Sequence, residues 1–362
     1  MIKTLDFYMA KKYALNFMGF CVVLLCLIYI FEAIELLRRA EGKEIALSTI
    51  FGMAFLKLPE VGQDMMLFAI FFAALFTFWQ LNKTAQLVII RGAGLSVWRF
   101  VLPLVMTALC LTLLKIMVVN PLGALMQSRF IVLENRLLKQ ESETVSLSEQ
   151  GLWLRQNLGG GQTAFLHADQ IDTRDWILSH PEIIILNKTG GFEQRIAAPS
   201  ARLEDNSWIL NNASSETARG DYQTGTRFVF TSLSSARELE RSFNAPAMQS
   251  FWAFPSYIRT LKRTGLNAAP AEVFFQKLMA QPLLSLAFIL MAAAVTLQPA
   301  RLQFGLKLVA AGVTIGLLLF FFINYFGALG ASDQIPVLIA VWFPPLIAFL
   351  GGAGALLMLE DG

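Results

Sequence analysis

Six apolar runs in the sequence are each long enough to cross a lipid bilayer, and this feature limits the fold more than any other. They lie at 13–37, within 45–81, and at 97–119, 271–297, 302–326 and 335–359. A helix needs about 20 mostly apolar residues to span the hydrocarbon core. Because backbone polar groups inside a membrane must be satisfied within the segment, we predict six transmembrane α-helices.

The composition supports a polytopic membrane protein. Hydrophobic residues make up 56% of the chain and charged residues only 15%, which is far from the balance of a soluble domain. The net charge of +3 is too small to indicate a nucleic-acid-binding surface. Cys21, Cys26 and Cys110 all lie inside apolar runs, so they predict neither a disulfide framework nor a metal site.

The second apolar run is too long for one simple crossing. Lys57, Pro59, Glu60 and Asp64 interrupt it. We therefore interpret 45–58 as partly interfacial and place the crossing nearer 65–79.

The distribution of basic residues predicts the orientation. An even number of spans puts both termini on one side, and that side carries Lys3, Lys11, Lys12, Lys83, Arg91, Arg99, Arg301 and Lys307. By the positive-inside rule this side is cytoplasmic. Arg38, Arg39 and Lys43 lie between spans 1 and 2, on the opposite side, and an anionic ligand would account for them.

A polar insert divides the chain into three predicted parts, namely spans 1–3 at 1–120, an insert at 121–267 and spans 4–6 at 268–362. After a helical start, the insert consists of short alternating runs such as GLWLR and EIIILN, separated by turn residues. This pattern predicts an all-β, jelly-roll-like domain outside the membrane. We expect the runs at 195–203 and 226–233 to offer open strand edges to a neighbouring β protein.

The connection between spans 2 and 3 predicts a short amphipathic helix over 80–94, ended by Gly92 and Gly94. Two interpretations remain open at this point: a connector resting on the membrane surface, or a contact site for another protein. The residues that would form such a contact are Lys83, Gln86, Leu87, Ile90, Arg91 and Gly94.

The sequence has no GxxxxGK[ST], GxSxG or HExxH motif, so it predicts neither nucleotide binding in a P-loop nor hydrolytic catalysis. His167 and His180 are the only histidines and fit surface or packing positions better than catalytic ones. We predict a chain that is not an enzyme and needs no cofactor.

Several charged residues lie within reach of the membrane and fall toward one end of the predicted spans. A charge in hydrocarbon is costly unless it faces water, a partner or a ligand. These side chains either pair and extend to the headgroups or hold an anionic amphiphile. They are Glu32, Glu35, Arg38, Arg39, Lys57, Glu60, Asp64, Lys115, Arg129 and Lys277.

Four segments resemble the lipopolysaccharide export permeases of the LptF/LptG family: KTAQLVIIRGAGLS, GLWLR, YIRTLKRTGLNA and FFQKLMAQPLLSLAFILMA. GLW before a strand and RRA at the end of span 1 are closer to LptG than to its paralogue LptF. An LptF-type subunit is the alternative within the family. A secondary transporter and a structural envelope protein are the alternatives outside it.

The resemblance implies a non-catalytic permease subunit in the bacterial inner membrane, with cytoplasmic termini and a periplasmic β domain. It implies lipopolysaccharide as cargo and, as partners, an LptB-type ATPase dimer, an LptF-type permease, an LptC-type protein and a periplasmic bridge of β proteins. The helix at 80–94 becomes the ATPase-coupling helix. The implied lipid-binding residues are Arg38, Arg39, Arg129 and Arg136.

Two positions depart from the family pattern. Gln86 stands where the family has an acidic coupling residue, so a neutral hydrogen bond replaces an ion pair to the ATPase. A family lysine in span 1 aligns near Glu32.

Overall fold

The structure is a computed structural model. It describes residues 2–86, 89, 92, 96–139, 144–148, 151–158, 162–172, 175–204, 207–231, 249–297 and 305–361. The chain forms two compact units, one of residues 1–130 with 272–362 and one of residues 131–271. The predicted divisions at 120/121 and 267/268 lie ten and four residues before these boundaries.

Long helices dominate the first unit, and short strands dominate the second. In chain order the α-helices are α1 (Ile2–Arg39), α2 (Leu47–Lys83), α3 (Val97–Leu114), α4 (Asn120–Glu134), α5 (Phe254–Arg263), α6 (Ala269–Thr296), α7 (Gly305–Ala331) and α8 (Val337–Asp361). Two π-helical turns follow α3 and α4, at Lys115–Val119 and Asn135–Lys139.

The prediction of six transmembrane helices is confirmed for the described residues. The helices long and apolar enough to cross a membrane are Thr4–Arg39, Leu47–Lys83, Val97–Leu138, Ala269–Thr296, Gly312–Ala331 and Val337–Met358. α2 continues through Pro59 as a single helix of 37 residues. At 1.5 Å per residue it is about 55 Å long, so it exceeds the hydrocarbon thickness unless it tilts or protrudes.

Aromatic packing and hydrogen bonds between helices hold the first unit together. Tyr13, Phe71 and Phe78 are fully buried in its core. The Tyr13 hydroxyl donates to the backbone oxygen of Ile70 at 3.2 Å, and Asn16 Nδ2 donates to Thr77 Oγ1 at 2.8 Å. Such bonds join α1 to α2 where lipid offers no alternative partner.

Glycines allow α7 to approach its neighbours closely. A Cβ at Gly312 would lie 2.5 Å from Leu75 Cδ1 on α2, and one at Gly330 would lie 2.5 Å from the Cβ of Ala340 on α8. Small residues at such contacts are typical of helix packing in membranes.

The second unit contains one antiparallel sheet, which confirms the predicted inserted β domain. The strands are β1 (Thr144–Ser148), β2 (Gly151–Asn157), β3 (Thr163–Ala168), β4 (Gln170–Asp172), β5 (Ile177–Ser179), β6 (Glu182–Leu186), β7 (Phe192–Ala197), β8 (Ser200–Glu204), β9 (Ser207–Thr217) and β10 (Tyr222–Thr231). Their order is β1-β2-β3-β6-β7-β9-β8-β5-β4, with β10 paired to β9. Alternate residues of β3 and β6 are buried, as the alternating sequence predicts.

The predicted open edge at 195–203 is wrong. β7 lies between β6 and β9, and β8 lies between β5 and β9, so residues 195–197 and 200–202 are paired on both sides. The alternating pattern identifies strands but not their neighbours, because pairing depends on contacts distant in sequence. β10, which covers most of the predicted edge at 226–233, pairs with β9 alone among the described strands.

Candidate functional site

Charged and polar side chains gather at one end of the helical unit, where α1 ends, α2 begins and α6 begins. We call this the charged end and define it by Glu32, Glu35 and Arg38 on α1, Lys57 and Asp64 on α2, Lys115 after α3, and Lys277 on α6. Its charges differ in burial and in pairing, and these differences decide which of them a ligand can reach.

Glu32 and Lys57 form an ion pair between α1 and α2. The distance from Lys57 Nζ to Glu32 Oε2 is 2.7 Å, and the side chains are only 24% and 17% exposed, respectively. Lys57 Nζ also lies 5.9 Å from the centre of the Phe130 ring on α4. Because low exposure strengthens a hydrogen-bonded pair and penalises a lone charge, this pair fixes the first two helices together.

Glu35 and Arg38 form a second pair, within α1. Arg38 donates from Nε and Nη2 to the two carboxylate oxygens of Glu35 at 3.1 and 3.0 Å. The Arg38 side chain is 73% exposed, and Arg39 beside it is half-buried. Arg38 is therefore accessible, but a ligand must compete with Glu35 for its guanidinium.

Arg129 and Arg136, the other two predicted lipid-binding residues, are exposed. Arg129 is on α4 in the first unit, and Arg136 is in the π-helical turn after α4, in the second unit. Both side chains are accessible to an anionic group. Arg38 itself pairs with Glu35 on its own helix.

Lys115 is the most deeply buried charge of the charged end. Its side chain is 1% exposed, and its Nζ has no hydrogen-bond partner among the described residues. It opens the π-helical turn Lys115–Val119, a distortion that is frequent at functional positions. The negative charge of Asp64, an exposed residue of α2, acts on both Lys115 and Lys277.

Lys277 lies against α7. A Cβ at Gly327 would be 2.5 Å from Lys277 Nζ and 2.6 Å from its Cε, so glycine leaves space for the ammonium group. Lys277 is half-buried. Lys115 and Lys277 thus share the attraction of the Asp64 carboxylate, and Glu60 adds a second carboxylate one turn earlier on α2.

A hydrogen bond between two uncharged side chains also joins helices at the charged end. Asn120 Nδ2 donates to Gln63 Oε1 at 2.9 Å, which joins the start of α4 to α2. A Cβ at Gly123 would lie 2.6 Å from Gln63 Nε2 and 3.2 Å from Pro59 Cβ. The close approach of α4 therefore depends on glycine at this position.

The predicted coupling segment lies near the opposite end of α2. Lys83 is exposed, with its Nζ 5.0 Å from the centre of the Trp79 ring. Gln86 Oε1 accepts a hydrogen bond from the Tyr8 hydroxyl of α1 at 3.3 Å. Leu87, Ile90, Arg91 and Gly94 lie outside the described residues, so the contact surface they would form remains a prediction.

The cationic side chains of the charged end can bind anionic groups. Lysine and arginine side chains in a setting of low dielectric bind phosphate or carboxylate groups strongly. Within the described residues, no group of His, Cys, Asp and Glu side chains is placed to hold a metal ion.

Sequence reasoning found the individual charges of this region but missed how they pair. Glu32 and Lys57 are 25 positions apart, and Asn120 and Gln63 are 57 apart. One signal in the sequence could have identified the first pair. Glu32 and Lys57 have opposite charges and lie on adjacent antiparallel spans, at similar distances from the loop that connects them.

A family model described as lipopolysaccharide export system permease LptF/LptG matches residues 7–359. A search of curated proteins found no matching sequence. Because the family match covers nearly the whole chain, this protein belongs to the LptF/LptG family of lipopolysaccharide export permeases.

Proposed function

We propose that the chain is the LptG-type permease subunit of an ABC transporter that extracts lipopolysaccharide from the inner membrane and passes it to a periplasmic bridge. The observation that carries this proposal is the family match over residues 7–359. The GLW sequence at Gly151–Trp153 and the Arg38-Arg39-Ala40 sequence favour LptG over LptF. An LptF-type subunit would have the same fold and belong to the same exporter.

We place both termini in the cytoplasm and the β domain in the periplasm. The basic residues near the N-terminus and around 80–99 support this orientation. The charged end then faces the periplasmic leaflet, where Arg38, Arg39, Arg129 and Arg136 would contact the phosphate groups of lipid A.

The cargo would enter at α1, because this helix carries the exposed Arg38. A lipid phosphate can replace the Glu35 carboxylate as the acceptor of the guanidinium hydrogen bonds. The ion pair between Glu32 and Lys57 would keep α1 attached to α2 during this exchange.

An LptB-type ATPase dimer would bind the segment at 80–94. In this proposal Leu87 and Ile90 fill an apolar groove on the ATPase, Lys83, Gln86 and Arg91 make polar contacts at its rim, and Gly94 ends the helix. An LptF-type permease completes the transmembrane pair, and an LptC-type protein receives the lipid from the β domain.

The experiment that tests the assignment is Leu87→Asp. A few residues dominate such an interface, so we expect a normally inserted chain that loses the ATPase during purification and has no lipopolysaccharide-stimulated ATP hydrolysis. Leu47→Asp is the matched control, because Leu47 is exposed at the other end of α2. Retention of both the ATPase and the stimulated hydrolysis by Leu87→Asp would show that the segment is only a connector.

The substitution Gln86→Glu distinguishes a cationic ATPase groove from a groove that has adapted to glutamine. If the ATPase groove is cationic, as the family pattern implies, binding becomes tighter. If the partner has adapted to glutamine, binding becomes weaker or stays equal. The affinity of the purified ATPase for both variants gives the answer, with Tyr8→Phe as the control for loss of the hydrogen bond to Gln86.

The handover to a periplasmic β protein would occur at β10. Photo-crosslinking residues placed along Tyr222–Thr231 should capture a β partner, whereas the same residues along β7 should capture none, because β7 is paired on both sides. Equal capture from both strands, or none from β10 in an active complex, would exclude strand addition there.

A further inference from the structure

The chain before α6 has an unusual charge distribution. Between Glu240 and Glu272 there is no acidic residue, although the stretch includes all of α5. Its basic residues are Arg241, Arg259, Lys262 and Arg263.

The three basic residues of α5 lie on one face of the helix. Arg259, Lys262 and Arg263 are exposed, and their spacing of three and four residues places them on the same side. Phe254 and Leu261, on the opposite side, are 0% and 1% exposed. Burial also raises the pKa of the Tyr257 phenol, in keeping with the apolar surroundings of that side.

The C-terminal end of α5 is fixed to the β sheet. The backbone N–H of Ile171 in β4 donates to the Thr264 carbonyl oxygen at 3.0 Å, and Gln170 Nε2 donates to the Arg263 carbonyl oxygen at 3.3 Å. Gly265 has φ +78°, and a Cβ there would lie 2.6 Å from the Ile171 oxygen. The turn at Gly265 therefore has no space for a side chain. The two hydrogen bonds and this close contact fix the orientation of α5 on the second unit.

α5 is also tethered close to a membrane span. Only residues 264–268 separate it from α6, whose first residues belong to the same compact unit. Even a fully extended connection of this length reaches less than about 20 Å. At the other end of α5, Trp252 is 61% exposed, and tryptophan is enriched at the level of lipid headgroups.

We propose that α5 lies along the membrane surface and that Arg259, Lys262 and Arg263 bind the phosphate groups of anionic phospholipids, with Trp252 among the headgroups. The apolar side of α5 is buried in the protein, so its basic face and the exposed Trp252 are the parts that fit anionic headgroups. The phospholipids of the bilayer are favoured over another protein because the α6 tether keeps the face near the membrane. This inference requires only that α6 crosses the membrane, and it holds whichever lipid is exported.

The test uses the full chain in nanodiscs made of equal amounts of phosphatidylglycerol and phosphatidylcholine, with retained lipids identified by native mass spectrometry. We expect Arg259→Gln/Lys262→Gln/Arg263→Gln to lower the retained ratio of phosphatidylglycerol to phosphatidylcholine about tenfold. The matched control is Lys188→Gln/Arg202→Gln/Arg219→Gln, which removes three exposed charges elsewhere in the second unit and should keep the ratio. An unchanged ratio in the first variant, or an equal loss in the control, would overturn the proposal.

Two further measurements test the proposal even if the variant with three glutamines on α5 does not fold. In the unaltered chain, the ratio should fall as salt rises, since salt screens exposed charges; a ratio independent of salt would overturn the proposal. A photo-crosslinking residue at Ser256, which is exposed beside the basic face, should form adducts with phospholipid in native membranes. Adducts with a protein instead would assign the face to that partner and contradict the proposal.

Discussion

Cationic side chains are held differently at the charged end and on α5. At the charged end, Lys57 and Arg38 each contact a carboxylate of α1, at 2.7 and 2.9 Å. On α5, three basic residues lie in a stretch that has no acidic residue at all. A ligand that binds Arg38 or Lys57 must therefore compete with a carboxylate of α1. The three basic side chains of α5 are exposed, and no carboxylate of their own stretch lies beside them in sequence.

Lys57→Ala should lower the stability of the first unit more than the other substitutions at the charged end. It leaves the Glu32 carboxylate, which is 17% exposed, without its lysine. Removing one member of a buried pair costs about 3 kcal/mol, because the remaining charge is poorly solvated. Thermal unfolding of the purified chain in detergent, followed by circular dichroism, measures the loss.

The exchanged pair Glu32→Lys/Lys57→Glu is the control for this prediction. It restores opposite charges across the two helices and should recover most of the lost stability. If Lys57→Ala unfolds at the same temperature as the unaltered chain, the pair does not hold α1 to α2.

Gly123→Val tests whether packing positions the polar side chains of the same region. Its Cβ would lie 2.6 Å from Gln63 Nε2, whose side chain must turn away, and 3.2 Å from Pro59 Cβ, from which α4 must shift by a few tenths of an ångström. Overpacking of this kind costs about 2 kcal/mol. The same substitution at Gly19, where a Cβ would meet nothing within 4 Å, is the control. Equal unfolding temperatures for the two variants would contradict the close contact.

Lys115→Met should have a smaller effect, and of the opposite sign. Lys115 is buried without a hydrogen-bond partner among the described residues, and methionine fills a similar volume without a charge to desolvate. Replacing a buried charge by an apolar residue is often stabilising, here by about 1 kcal/mol. A large loss of stability would show that the attraction of Asp64 outweighs the cost of burial. Unfolding of Lys115→Met and of Asp64→Asn/Lys115→Met distinguishes these outcomes.

The parts of the fold that depend on local composition could be predicted from the sequence. The apolar runs located all six spans, and alternation located the inserted sheet. Pairing could not be predicted, since the neighbours of β7 and β8 and the partner of Lys57 depend on contacts between distant positions. The amphipathic pattern at 80–94 predicted a helix, yet Ala85 has φ +53°, a left-handed conformation that separates the end of α2 from Gln86. Nothing in the residue types there signalled that turn.

Arg38→Gln should change the stability of the chain least. It therefore tests most directly whether an exposed, paired arginine at the charged end binds a ligand. Arg38 is 73% exposed and its partner Glu35 is 43% exposed, so water and salt already compete with the ion pair. We expect an unfolding temperature equal to that of the unaltered chain, together with less lipopolysaccharide retained on purification, because the guanidinium is accessible to a lipid phosphate. Glu35→Gln should have the reverse effect on retained lipid, since it frees Arg38 from its competitor. If both variants retain the same amount of lipid as the unaltered chain, Arg38 serves only its pair with Glu35, and the charged end does not bind the cargo through this residue.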